Sequence, residues 1–295
     1  MIVPLSLSFS GDFDLCRRLL FSKFATNWFS SYARIPSALF SFDVRVRNVI
    51  HLGVRSNGRS NYTSRLHRWF DEARPVLFPA LEYAQFDPQP FAYRIPKLNT
   101  SRLANCLENR LRKGQVLRSA ISTAPSKYIL YFKKTAYNWL TFCKTLPPCY
   151  DAAGENVPHT KFGAVHFRDE EMRDLAYVFL NGKINYCWWV AIGDDFDVTR
   201  WMFEEFPISF DALPPLQREA ILSASSALDR EMSKNVSFKL NANRKVGNYN
   251  LARCRKVTDV TDEIFANYLN LDEAYDDVEL LYAQTVRTDF EEEEE

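Results

Sequence analysis

Several patterns that would declare a function are missing from this chain of 295 residues. Its six cysteines (Cys16, Cys106, Cys143, Cys149, Cys187 and Cys254) are irregularly spaced and include no Cys-x-x-Cys pair, which excludes a zinc ribbon and argues against a disulfide framework. Reduced, buried thiols in a cytoplasmic protein are the expectation. Only four histidines occur, and His159 and His166 stand seven apart, not at the i, i+4 spacing of a metalloprotease helix. Nine glycines form no Gly-x-Gly, so the turn that lets a backbone approach a nucleotide closely is absent. No apolar run reaches the roughly 18 residues that span a bilayer. The apolar N-terminus lacks the basic segment and small-residue cleavage site of a signal peptide, and it reads as a strand.

What is present is a globular composition, 46% hydrophobic and 15% aromatic, with an uneven charge. From Asp272 to Glu295 there are eleven acids against Arg287. With 37 basic and 37 acidic residues in all, residues 1–271 hold 36 basic against 26 acidic, a net of +10. A basic body suits a polyanionic partner, and the Glu291–Glu295 run reads as a solvated tail.

Taken in order, residues 2–9 read as a buried strand, with Asp12 placed to cap a helix over 13–24 whose Leu15, Leu19, Leu20 and Phe24 keep helical spacing. Residues 28–33 and 44–52 read as strands of a central sheet, 55–65 as a polar loop around Asn57-Gly58, and 67–83 as a helix bent by Pro75 and Pro79. Residues 85–96 read as a proline-rich linker. Beyond it, 98–112, 169–180, 216–234 and 260–269 read as helices, while 128–132, 160–167, 185–192 and 196–201 read as strands. No internal repeat is found.

The segments Ile2-Val3-Pro4-Leu5-Ser6, Arg34-Ile35-Pro36-Ser37, Tyr186 to Thr199 and Val246-Gly247-Asn248-Tyr249-Asn250 carry a family likeness in their order along the chain. This order resembles N6-adenine DNA methyltransferases of restriction–modification systems, the large enzymes that fuse a methyltransferase to a C-terminal recognition domain. In these enzymes a strand close to Ile-Val-Pro-Leu-Ser and a helix follow the catalytic loop, and then comes a strand ending in an Arg-x-Pro-Ser-like turn. The resemblance implies an α/β fold, with a partial Rossmann-like methyltransferase sheet over 1–90, a mixed α/β target-recognition domain over 95–271, and an acidic tail over 272–295. Strands apolar on both faces would then expose an open edge that another chain could complete.

The departures are as informative. The family's Gly-x-Gly cofactor turn is absent, and so is the Asn/Asp-Pro-Pro-Tyr/Phe loop that holds the flipped adenine. Pro147-Pro148-Cys149-Tyr150 lacks the leading Asn or Asp and has a cysteine before the tyrosine. The chain alone is therefore expected to bind no cofactor, hold no metal and perform no methylation. S-adenosylmethionine would be bound by a partner.

The candidate DNA-binding residues are Arg34, Ser37, Arg45, Arg47, Arg55, Arg59 and Arg65 in the first part, and Lys127, Lys133, Lys134, Lys245, Arg253 and Arg255 in the second. Arg45 and Arg47 share a strand face, which suits a phosphate or a buried acidic partner. The loop 56–61, with Arg59 at its middle, suits a DNA backbone. Trp188, Trp189 and Trp201 read as core, and Asp194-Asp195-Phe196-Asp197 as a turn.

Two functional readings follow. One is the DNA-recognition part of a split or truncated enzyme of restriction–modification or phage defence, with double-stranded DNA and a methyltransferase N-terminal chain or other defence-system subunit as partners. The alternative is a non-enzymatic DNA-binding, scaffold or inhibitor protein of a defence system.

Overall fold

A computed structural model describes residues 1–40, 46–55 and 58–286. The chain is mixed α/β. In order it forms β1 (Ile2–Pro4), α1 (Asp14–Lys23), β2 (Thr26–Tyr32), β3 (Asn48–Val54), β4 (Ser60–His67), α2 (Arg74–Leu77), β5 (Ala84–Gln85) and α3 (Ser101–Arg112). There follow β6 (Ile129–Lys133), β7 (Phe142–Cys143), β8 (Cys149–Tyr150), β9 (Phe162–His166), α4 (Glu170–Leu180), α5 (Lys183–Ile192), α6 (Arg200–Glu204) and α7 (Pro215–Lys234). The last elements are β10 (Val236–Asn241), β11 (Arg244–Tyr249), α8 (Arg255–Leu269) and α9 (Tyr275–Thr285). No helix among the described residues is long and apolar enough to cross a membrane.

Two compact units are formed. The first comprises Met1–Gly114, Cys187–Asp195 and Glu273–Glu295, and the second Gln115–Tyr186 and Phe196–Asp272. The first of the boundaries between them falls after Gly114.

The first unit is built on a five-stranded sheet of order β1-β3-β2-β4-β5. β2 and β4 pair in parallel, and every other pairing is antiparallel. β1, β2 and β4 therefore run one way and β3 the other. Helix α1 lies over one sheet face, with Phe21 edge-on to Phe29 at 5.7 Å and Phe24 meeting the His51 ring at 5.4 Å. At the far end of β2, Tyr32 packs with Leu39, Trp69 and Leu77.

In the second unit the sheet β7-β6-β9 holds Phe132 against Phe203 at 5.1 Å, and the helices close around Phe179, which meets Phe206 at 4.6 Å and Phe265 at 5.0 Å. A separate sheet of order β10-β11-β8 carries a long hairpin.

Several expected elements differ, each for a physical reason. The first strand stops at Pro4, and Leu5–Ser8 coils as a 3₁₀ turn that buries Leu5 and Leu7. Ser10, whose hydroxyl accepts from the Asp12 N–H at 3.3 Å, caps the 3₁₀ turn Gly11–Phe13 that leads into α1, and α1 itself starts after Phe13 with no side-chain cap, from Asp12 or any other residue. The polar stretch 55–65 conceals β4, a strand that buries Thr63 and Ser64 and so lacks an apolar signature. Residues 67–83 yield only the 3₁₀ turn Asp71–Ala73 and the single turn α2, since Pro75 and Pro79 restrict the backbone around them. The expected linker is packed, with Phe86, Phe91 and Ile95 buried.

Residues 185–192 are helical, because a short apolar run reads alike as a buried strand or a buried helix. In 196–201 only an isolated Thr135–Asp197 bridge forms before α6 begins. The acidic end contains α9, which buries Val278 and Leu281, so it is no tail up to Thr285. Residues 287–295 lie outside the described residues.

Candidate nucleic-acid interface

The connection from β3 to β4, which are separated in the sheet by β2, brings cations together in the first unit. Arg55 and Arg59 are exposed and, with Lys23 at the C-terminal end of α1, line a cleft of about 470 Å³ that also meets Gly58. Gly58 sits at φ +96°, a left-handed conformation that lets the loop turn without a Cβ penalty. Arg59 also lines a neighbouring cavity of about 620 Å³ with Asn61, Gln85, Phe86, Tyr93 and Glu108. Glu108 is buried there and accepts from the Asp87 N–H at 2.7 Å. Burial holds its carboxyl above the usual carboxylate range. Sequence reasoning missed this cavity, whose lining comes from four separate segments.

Of the other candidate arginines of this unit, Arg47 and Arg65 are engaged by groups within it. Arg47 pairs with Asp194 at 3.5 Å and with Asp195 at 4.0 Å, so the acidic partner, of the two open readings, is the one it has. That pairing occupies the guanidinium proposed for DNA. Arg65 is held by the carbonyls of Leu66 and Gln284 at 3.3 and 3.4 Å, and burial lowers its pKa. Arg65 thus anchors α9 to β4 and does not project toward a phosphate. Arg34 is half-buried after β2, and Ser37 donates its backbone N–H to Trp69 O at 3.1 Å. Arg45 lies outside the described residues. Asp194-Asp195 forms the expected turn, with Asp195 at φ +74° and its carboxylate bound by the buried Arg68.

In the second unit Lys127 and Lys134 are exposed, and Lys127 lies over the Tyr128 ring at 5.2 Å. Lys133 instead donates to Asn248 Oδ1 at 2.8 Å and ties β6 to β11. Arg255 donates to Asn181 O at 3.3 Å, which fixes the start of α8. Arg253 and Lys245 are exposed, the latter 4.8 Å above the Phe238 ring. Pro147-Pro148-Cys149-Tyr150 is a strand edge: Pro148 O accepts from Gly247 N–H at 2.8 Å, and a Cβ at Gly247 would lie 2.5 Å from that oxygen. His166 Nδ1 is bound to Ser126, and Trp188 and Trp189 are core.

A second kind of surface accompanies the basic one. On β3, Ile50, Leu52 and Val54 share a face with their cross-strand partners Ile2, Trp28 and Thr26. Ile2, Leu52 and Val54 are 49, 58 and 48% exposed, and Trp28 stacks on Tyr62 beside them. The opposite face, with Phe29, Val49 and His51, is fully covered. An antiparallel sheet that meets water normally presents polar residues outward. Here the outward face carries Ile2, Leu52, Val54 and Trp28, while the covered face buries Asn27, Ser31, His51 and Thr63 beside Phe29 and Val49.

Helix α1 repeats the anomaly. Arg17 is 2% exposed, whereas Leu15 and Leu19 on its outer side are 81 and 54% exposed. Arg17 donates to the carbonyls of Tyr93, Leu7 and Ser10 at 2.9, 3.0 and 2.7 Å. Against known proteins, the chain matches no protein-family model and no curated sequence.

Proposed function

We propose that this chain is the DNA-recognition part of a split or truncated site-specific adenine-N6 DNA methyltransferase. A partner chain supplies S-adenosylmethionine binding and the Asn-Pro-Pro-Tyr loop. The observation that carries the reading is the open apolar end of one face of β3, beyond the point where Ile50 packs against the Tyr32 cluster. Leu52 and Val54 stand open on a strand whose other face is fully buried. A contiguous apolar surface of this kind marks an interaction site. The order of the Ile-Val-Pro-Leu-Ser and Arg-x-Pro-Ser segments around it supports a methyltransferase half as the occupant. The exposed cations Lys23, Arg55, Arg59, Lys127, Lys134 and Lys245 support a polyanion as the substrate. The sheet's mixed strand directions fit the later part of a methyltransferase sheet, the finer fold this reading carries.

The experiment is co-expression of the chain with the products of neighbouring reading frames, followed by mass spectrometry of N6-methyladenine in plasmid DNA. Methylation should require both chains. The double variant Leu52→Asp, Val54→Asp should lose co-purification with the partner while keeping duplex binding. Methylation by this chain alone, or a partner that binds the double variant unchanged, would overturn the reading.

A further inference from the structure

The 23 residues from Lys234 to Lys256 contain seven lysines and arginines and no acid. Most of them form the β10–β11 hairpin, whose Asn241, Ala242 and Arg244 line one cleft of about 310 Å³ with His159, Thr160 and Lys161. Its pairing runs from Val236–Tyr249 out to Asn241–Arg244, closed by Ala242-Asn243 at φ +48° and +60°. Both turn residues are left-handed, as a two-residue hairpin that follows the strand twist requires. The eight residues 238–245 are all exposed, on both faces of the ribbon. One face carries Phe238, Leu240 and Lys245, the other Lys239, Asn241 and Arg244, as the register dictates. Leu240 is 80% exposed, and β10 is an edge strand of its sheet.

A ribbon that lies on a surface buries one face. A ribbon exposed on both faces fits a slot, with a wall for each. With side chains on both faces a two-stranded ribbon is about 10 Å thick, judged from the spacing of packed sheets. The major groove of B-form DNA is about 12 Å wide and admits such a ribbon, whereas the minor groove, at about 6 Å, does not. The chemistry of the two faces fits the same slot. Lys239, Arg244 and Lys245 match phosphate walls, the Asn241 amide matches the N6/N7 edge of adenine, and Leu240 matches a thymine methyl group.

We propose that the β10–β11 ribbon enters the major groove of duplex DNA tip first and reads its base edges through Asn241, Arg244 and Leu240. This rests on the DNA-recognition reading above and names the element that performs it.

The test uses the full chain and a fluorescein-labelled duplex of about 20 base pairs, titrated at several salt concentrations. Wild-type protein should bind, and should bind at least about tenfold more weakly to the same duplex with glucosylated 5-hydroxymethylcytosine, which fills the major groove. The triple variant Lys239→Gln, Arg244→Gln, Lys245→Gln should flatten the salt dependence by about 0.9 in log–log slope for each phosphate it no longer neutralises. Leu240→Ser should weaken binding with the salt slope unchanged. A circular-dichroism melt coincident with wild type shows that each variant is folded.

Wild type that binds the glucosylated and plain duplexes equally, or a triple variant that binds as wild type does, overturns the ribbon and leaves the DNA-recognition reading standing. Wild type that binds no duplex at any salt overturns both. Ribbon-dependent binding to vesicles of anionic phospholipid, with none to duplex, would make the ribbon a membrane-contacting element and overturns the proposal.

Discussion

Arg17 is buried on the same helix on which Leu15, two residues earlier, is almost fully exposed. The three carbonyls that hold Arg17 belong to turns on either side of α1, so its guanidinium knits the segments around residues 7, 10 and 93 together. Leu15 contributes nothing comparable within this chain. Replacing Arg17 by Met should therefore destabilise the protein by about 2–4 kcal/mol, as several buried acceptors lose a charged donor. The double variant Leu15→Glu, Leu19→Glu should change stability by less than about 0.5 kcal/mol. Urea unfolding checks both. A larger loss from the leucine pair would mean that the outer face of α1 is already covered in the isolated chain.

Lys97 predicts an alkaline pH dependence. Its side chain is fully buried, its Nζ has no hydrogen-bond partner, and burial lowers its pKa from 10.5 to about 7 against the pull of Asp194 and Asp195. Between pH 7 and 10.5 the unfolded chain alone holds this proton, so stability should rise with pH, by on the order of 1.4 kcal/mol per unit. Lys97→Met should remove the slope and be more stable than wild type at pH 7, since a buried unpaired ammonium is costly. A thermal-melt series from pH 7 to 10 that rises equally in both proteins would assign the slope elsewhere.

The two buried histidines set the acid side. Burial lowers His51 to about 4 and His67 to about 3. Their unfolded counterparts gain a proton near 6.5 that the folded protein refuses. Stability should fall as pH drops from about 6.5 toward 4, by on the order of 1.4 kcal/mol per unit for each histidine. His51→Gln, which keeps a donor toward Asn27 Oδ1 at 2.9 Å in the native ring, should flatten this limb. An unchanged acid limb in that variant would show that His51 does not contribute.

Legibility in the sequence differs from element to element. The helices α1, α3, α4, α7 and α8 declared themselves by long apolar periodicity, and Asp169 caps α4 as its position before Glu170 suggests. α5 was hidden, because Asn185 to Ile192 is apolar all round and a buried helix then has no stripe. β4 was hidden for the opposite reason, since its buried positions are Thr and Ser. The candidate cations were legible as a class, but not their directions. Arg47 and Arg65 are drawn inward by Asp194 and by the Gln284 carbonyl, each more than a hundred residues away, which no local spacing reveals. The ribbon turn had one visible signal, the Asn241-Ala242-Asn243-Arg244 tip after alternating Ser237-Phe238-Lys239-Leu240.

Gly182 leaves no room for a side chain. A Cβ there would lie 2.2 Å from Asp262 Oδ1, and Asp262 Oδ2 accepts from the Lys183 N–H at 2.7 Å at the first residue of α5. Gly182→Ala should cost about 1–3 kcal/mol, as overpacking does elsewhere. A loss below about 0.5 kcal/mol in chemical denaturation would show that Asp262 can move aside freely.

The central claim is that this chain grips duplex DNA through exposed cations and leaves chemistry to a partner. The most direct measurement is the salt dependence of duplex binding by the chain alone, for wild type and for the variant Lys23→Gln, Arg55→Gln, Arg59→Gln of the cleft at the α1 terminus. The account predicts binding that weakens steeply with salt, and a variant that binds more weakly with a log–log slope shallower by about 0.9 for each phosphate left without its cation. Duplex affinity that is absent at low salt, or present but indifferent to salt and to these three residues, would contradict it.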